Sequence, residues 1–435
     1  MKAIWFGTAL LASTIAVPVA AQQPAPAPAL QVTPAQTVEA VRKSIRENYV
    51  IPATRKPLDD ALARGLASGR YAVSDPQELA KRINQDMTAV ANDKHLGMHF
   101  DPRMSAELAK GAGANDTVAE GAFFAKMARR HNHGVSELRV LDGNIRLLKY
   151  DGFMWTGPDS AAAIDAAAAF LRQGDAIVID LRTNGGGSPE AVRRLVSYFV
   201  AAGKKLVTFH MRSEAPDVSV AEAVPGGLIQ GVPVYVLTSG RSASAAEEFA
   251  SHVAGFRFGT LVGETTAGAG YRNDTYAIPG GFVLSVSVGR PELPDGSDWE
   301  AKGVAPGIAV AQDLALARAQ QAALEALAAQ AQGPERAELE WAARVQQARM
   351  TPVAPALPLI AYAGRYGPRA VTVENGALHI QRDGGPRSKL IAVAPDLFAM
   401  DLDPRSRVQF ASASGAVTAM ILQRADGSKT EEKKD

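Results

Sequence analysis

Apolar residues first recur at helical spacing. Val38, Val41, Ile45 and Tyr49 fall on one helical face, and a second helix fits Leu58 to Ser68. Asp75-Pro76-Gln77-Glu78 then combines an N-cap, a proline at the first helical position and an early acidic residue. Behind it Leu79, Ile83, Met87 and Val90 form a single stripe. These patterns predict a helical cap over residues 37–92. From Asp93 the period changes to two, with Leu96, Met98 and Phe100 alternating as in a strand, and Ile145 to Phe153 reads as another.

Short continuous apolar runs follow at Ala176–Leu181, Pro233–Leu237 and Thr260–Val262, the signature of strands covered on both faces. Helical stretches separate them: Ala161 to Arg172, Ser188 to Val200, and Ala243 to Val253. Alternation of this kind predicts an α/β core over 93–312 with largely parallel strands. A hairpin is predicted at Thr275–Ile278 and Phe282–Val288, joined by Pro279-Gly280-Gly281. Two Ala-rich helices split by Gly333-Pro334 read as a helical linker over 313–350. Val371-Thr372-Val373, Asn375-Gly376 and Leu378-His379-Ile380 then spell a hairpin with a type I′ turn. It belongs to a small β domain over 351–424, and the charged tail over 425–435 reads as disordered.

Composition narrows the function. Met1-Lys2, the apolar run Ile4 to Val19 and the small-x-small end Val19-Ala20-Ala21 read as a signal peptide over 1–21, followed by a Pro/Ala/Gln-rich linker over 22–36. The run is shorter than the ~20 residues a membrane helix needs, so no stable membrane span is expected. A periplasmic or secreted location follows. With no cysteine, neither a lipid-modified N-terminus nor a disulfide framework is available, and the 47% hydrophobic content must supply the core. A net charge of +1 argues against nucleic acid as a partner.

Three loops carry candidate chemistry. Ser239-Gly240-Arg241-Ser242-Ala243-Ser244 connects a strand to a helix, where free N–H groups can hold an oxyanion. Ser244-x-x-Glu247 fits a simple capping box equally well. Asn184-Gly185-Gly186-Gly187 lets backbone approach a ligand closely, or is only a flexible turn. Neither a dinucleotide glycine pattern nor a phosphate loop is present. His95, in Asp93-Lys94-His95-Leu96, offers a base; a zinc reading of His95 with His99 lacks the helical motif's glutamate, so no metal or cofactor is expected.

Taken together and in order, these motifs resemble the tail-specific (C-terminal-processing) serine protease superfamily, peptidase family S41, in its tricorn core and interphotoreceptor retinoid-binding protein-like branch. Asp93–Leu96, Ile179–Gly187, Leu237–Ser239 with Ser242–Glu247, Val262–Gly268 and Trp299–Pro306 carry the likeness. The resemblance implies a ClpP/crotonase-like α/β spiral core acting on a peptide or protein substrate. It assigns Ser244 as nucleophile, His95 as base and Glu300 as its acidic support. The N–H groups of Ala245 and of Gly185 or Gly186 would form the oxyanion hole. It also admits a rival, since retinoid-binding relatives bind hydrophobic small molecules without catalysis. Two departures stand out. Ala269 occupies the place of the lysine base of C-terminal-processing enzymes, and Lys94 replaces the serine that precedes the tricorn-type histidine. The roughly fifty residues between Asp93 and Ile145 leave no room for a peptide-binding PDZ domain, and the oligomeric state is left open.

Overall fold

The computed structural model describes residues 32–110, 117–212, 214–424 and 427–435, side chains of 117–123 excepted. The expected signal peptide and most of the linker lie outside these residues. Three helices begin the described chain: α1 (Pro34–Asn48), α2 (Pro52–Ala67) and α3 (Pro76–Thr88). Each has a proline at its start, and Asp75 caps α3 by accepting from the N–H of Gln77. Their stripe residues pack onto an antiparallel sheet. Val38, Ile45, Leu62, Ile83 and Met87 share one core with Met98, Ile278, Phe282 and Leu284.

Those last residues belong to an antiparallel sheet. It contains β1 (Gly97–Phe100), which is followed by α4 (Pro102–Lys110) and α5 (Thr117–Arg130). The core sheet then begins with β2 (Val135–Leu141) and β3 (Ile145–Tyr150). It continues through α6 (Pro158–Leu171), β4 (Ala176–Asp180) and α7 (Pro189–Val196). Next come β5 (Lys205–Met211), β6 (Asp217–Val220), β7 (Val234–Thr238), α8 (Ala245–Phe256) and β8 (Thr260–Gly263). The hairpin strands β9 (Arg272–Ile278) and β10 (Phe282–Glu292) and the short β11 (Ile308–Ala309) complete the region.

The six-stranded sheet runs β11-β8-β7-β4-β3-β2, parallel from β3 to β11, with β2 antiparallel at its edge. Every residue of β4 and β7 is buried, as their unbroken apolar runs predict. The antiparallel sheet runs β1-β10-β5-β6, with β9 on β10. Sequence reading left α4, α5, β2, β5 and β6 unassigned. β2 and β6 are partly exposed edge strands and so lack a continuous apolar signal.

The stretch expected to be a linker is structural. α9 (Ala315–Ala328) lays Ala315, Ala319 and Ala323 against Val178, Leu237 and Val262, covering the core sheet's second face. α10 (Gly333–Met350) joins both halves of the molecule: Leu339 and Ala343 enter that same core, while Trp341 and Val345 pack on Ala399 of the C-terminal sheet. Asn375 and Gly376, at φ 49° and 73°, make the expected type I′ turn.

The C-terminal domain is an eight-stranded antiparallel meander from Gly364–Tyr366 to Lys429–Lys433. A bridge from Tyr366 to Lys434 brings its first and last strands together into a near-barrel, filled by Tyr362, Tyr366, Phe398 and Phe410. The tail expected to be disordered is therefore its last strand. Pairing with Ala419–Gln423 satisfies its backbone, and Glu432 meets the buried Arg369 at 2.9 Å. Charge alone concealed this, because an edge strand on a closed sheet tolerates Lys and Glu on its outer face. Deleting residues 425–435 removes that strand and leaves the Arg369 charge buried without its partner. Calorimetry should show the C-terminal domain melting ~5 °C or more lower; an unchanged transition would mean that the tail is dispensable.

Candidate active site

Two of the three loops singled out by sequence meet where β4 and β7 end side by side. The loop after β7 is pinned to the exit of β4 by two buried hydroxyls. Ser242 Oγ donates to the Leu181 carbonyl and Ser239 Oγ to that of Arg182, each at 2.7 Å. Ser242 Oγ also accepts from the N–H of Ser239. These two serines are thereby used up as structural braces, which leaves Ser244 as the loop's remaining serine.

Ser244 sits at the N-terminus of α8 with φ 55° and ψ −120°, a strained conformation for a residue with a side chain. Its carbonyl begins the helix by accepting from Glu247 and Glu248. The glycine-rich loop presses on it directly. A Cβ at Gly186, where φ is +114°, would lie 2.7 Å from Ser244 Cβ, and one at Gly187 would lie 2.2 Å from the Phe153 carbonyl. Glycine is thus required sterically at both positions. Asn184, fully buried, holds the loop by donating to the Tyr150 carbonyl (2.8 Å) and accepting from the N–H of Gly186 (2.9 Å). The N–H of Gly186 is thus engaged by Asn184 in this geometry. Among the described residues the N–H groups of Gly185 and Ala245 have no hydrogen-bond partner. That of Ala245 is one of the free first-turn donors of α8.

Glu247, read from sequence only as a helix cap, has a larger role. Its carboxylate is completely buried and accepts from the N–H of Ser244 (2.9 Å), the hydroxyl of Thr266 (2.6 Å), and the N–H groups of Gly268 (2.5 Å) and Ala269 (2.7 Å). The Ser244 N–H bond is the Glu247 half of the expected capping box. The other three bonds cross to a distant loop that no local pattern reveals.

His95 lies in a turn just before β1, not on the strand, so strand alternation does not set the direction of its neighbour Lys94. The Lys94 ammonium donates to the carbonyl of Ala267, on the same loop that Glu247 holds. Asp93 accepts from the N–H of His95 at 2.9 Å. Burial lowers the His95 pKa from its ordinary value, opposed by the negative charges of Asp93 and Glu247. The base candidate is therefore neutral at neutral pH.

Glu300 is buried, and its Oε2 accepts from the N–H groups of Gly270 (2.5 Å) and Tyr271 (3.0 Å). Burial, augmented by Asp93 and Glu247, pushes its carboxyl up to about 7. Tyr49, at the end of α1, is raised by burial and by the Asp93 charge. Asp93, Glu247, Glu300 and His95 thus share one electrostatic environment. Among the described residues no hydrogen bond joins His95 to Ser244 or to Glu300. His95 Nδ1, Asp93 Oδ2 and Glu300 Oε1 are all buried without partners. His99 is exposed on β1, and no group of three potential metal ligands occurs among the described residues.

Comparison with known proteins gives a consistent result. A family model described as peptidase family S41 matches residues 143–310. A second, described as the N-terminal domain of that family in eukaryotic IRBP, matches residues 27–122. A C-terminal processing peptidase of Tetradesmus obliquus chloroplasts is 30% identical over 150 residues, 34% of this chain and 32% of that protein. A carboxy-terminal-processing protease of Bartonella bacilliformis is 28% identical over 137 residues, 32% of this chain and 31% of that one. The chain thus spans about a third of the length of these relatives. The solved photosystem II D1 C-terminal processing protease superposes with a TM-score of 0.42 at 18% identity, covering 65% of this chain and 95% of that one.

The raised Glu300 carboxyl makes a stability prediction. A carboxyl at about 7 when folded and 4.5 when unfolded favours the folded state fully below pH 4.5, and that contribution is lost as pH rises through 7. Urea unfolding at acid and mildly alkaline pH should show Glu300→Gln gaining on the wild type by on the order of 3 kcal/mol across that window. Parallel pH dependences would place Glu300 in an ordinary solvated setting.

Proposed function

We propose that this chain, which belongs to peptidase family S41, is a secreted or periplasmic serine peptidase that cleaves peptide bonds through an acyl-enzyme on Ser244. The observation that carries this reading is the state of the loop after β7. Two of its serines are locked into backbone contacts, while the third is held in a strained strand-to-helix turn against the Gly186 backbone, with the free N–H of Ala245 next to it. A strained serine at such a turn is the arrangement that exposes a nucleophile.

In this mechanism the Ser244 hydroxyl adds to the substrate carbonyl and His95 takes its proton. The N–H groups of Ala245 and Gly185 receive the developing oxyanion, a contribution of ~10²–10³ in rate for each such donor. His95 then returns the proton to the leaving amine, and a water repeats the cycle to release the acyl group. The negative charges of Asp93 and Glu247 stabilise the transient imidazolium, and Glu300 adds to them once its carboxyl, pushed up to about 7, is ionised. The apolar N-terminal stretch supports export, and the Tetradesmus and Bartonella relatives support a protein or peptide substrate.

Labelling with a fluorophosphonate and mapping the adduct by mass spectrometry should find it on Ser244 and nowhere in Ser244→Ala. An adduct on Ser239 or Ser242 would overturn the assignment, and no adduct on an intact fold would favour a binding protein. The pH-rate profile should rise through a midpoint below the 6.5 of an unperturbed histidine, because burial lowers His95. His95→Ala should lose at least ~10² in rate. Lys94→Ala, which frees only the Ala267 carbonyl, should lose under ~10-fold, as for one exposed hydrogen bond. The reverse ranking, or activity confined to alkaline pH, would make lysine the base.

A further inference from the structure

The outer edge of the core sheet is open. β2 pairs with β3 on one side, and among the described residues no strand pairs with its other side. Half of an edge strand's N–H and C=O groups point outward, ready to pair with another strand. On β2 this edge also carries apolar side chains in water: Leu138 is 41% exposed and Val140 53%. Exposed Leu and Val on an unpaired edge are what monomeric sheets ordinarily avoid.

The order of residues along β2 is complementary to itself. When Ser136-Glu137-Leu138-Arg139-Val140 is set antiparallel to a copy about Leu138, Leu138 faces Leu138. Glu137 faces Arg139, Arg139 faces Glu137, and Val140 faces Ser136. Directly opposed pairs in an antiparallel ladder interact strongly, and opposite charges there are favourable. Within one chain Glu137 and Arg139 already lie on the same face, with Arg139 Nε 3.0 Å from Glu137 Oε1 and both half exposed. Two copies would thus bring four charges into an alternating row beside an apolar contact at the two-fold axis.

Among the described residues, the other sheet-edge strand with exposed large apolar side chains lacks this property. β6 also shows apolar side chains, Val218 and Val220, but its only charge is Asp217, which is paired with Arg272.

We propose that β2 is a dimerisation edge, at which a second copy of this chain adds antiparallel across a two-fold axis at Leu138 and joins two core sheets into one. Such an interface is isologous, so each substitution acts twice. A single strand pair is small by the standard of permanent interfaces, so the association is concentration-dependent.

Sedimentation velocity on the full chain across a wide concentration range tests it. The wild type should pass from monomer to dimer. Arg139→Glu sets glutamate against glutamate twice and should weaken the dimer by ~10-fold or more. Glu137→Arg should do the same with arginines. The double swap Glu137→Arg/Arg139→Glu restores complementarity and should restore dimerisation. Both sites are on the exposed edge, so circular dichroism should show the fold unchanged in all three variants. A chain that stays monomeric throughout, as it would if an extended peptide or another protein occupied this edge, overturns the proposal. So does a dimer indifferent to Arg139→Glu, or a double swap that fails to restore it.

Discussion

One buried carboxylate organises the site. Glu247 projects from the first turn of α8 and collects four donors, three of them N–H groups and one a hydroxyl. An unpaired buried carboxylate is very costly, and one with every lone pair directed at a donor is fixed in place. Its bonds tie the N–H of Ser244 to the loop from Thr266 to Ala269. That loop in turn receives the Lys94 ammonium and passes directly into the Gly270–Tyr271 backbone that holds Glu300. Ser244, the Lys94–His95 turn and Glu300 are therefore coupled through a single side chain.

The opposite wall of the site is steric. Gly186 and Gly187 place bare backbone where any side chain would collide with Ser244 or with Phe153, and Asn184 locks that approach from beneath. Charge on one side and close packing on the other hold the Ser244 turn in a conformation that a free peptide would abandon. The replacement of a lysine base by Ala269 fits this arrangement. The N–H of that residue, not its side chain, is used, and it is used by Glu247.

The surrounding architecture keeps these walls rigid. The fully buried, parallel strands β4 and β7 deliver both loops at their C-terminal ends, α9 seals the face behind them, and α10 docks the C-terminal near-barrel through Trp341. The α/β core and the C-terminal domain are thus joined by the paired helices α9 and α10, with apolar contacts on both sides.

The sequence by itself determined the periodic elements and the chemical candidates. The stripes of α1 to α3, the buried runs of β4, β7 and β8, the Asn375-Gly376 turn and the unusual serine and glycine loops are all local patterns, and local patterns follow from side-chain period and backbone freedom. The family likeness added an order for Ser244, His95 and Glu300. Only the tertiary structure decided which donors remain free. That the N–H of Gly186 is taken while that of Gly185 is not depends on Asn184 folding back beneath the loop. That Ser239 and Ser242 are braces depends on β4 lying beside β7. Glu247 as a hub and the charged tail as a closing strand rest on partners far away in sequence, at Gly268 and Ala269 and at Ala419–Gln423. Hydrogen bonds between distant loops leave no period in a sequence, because chain topology and not residue spacing brings their ends together.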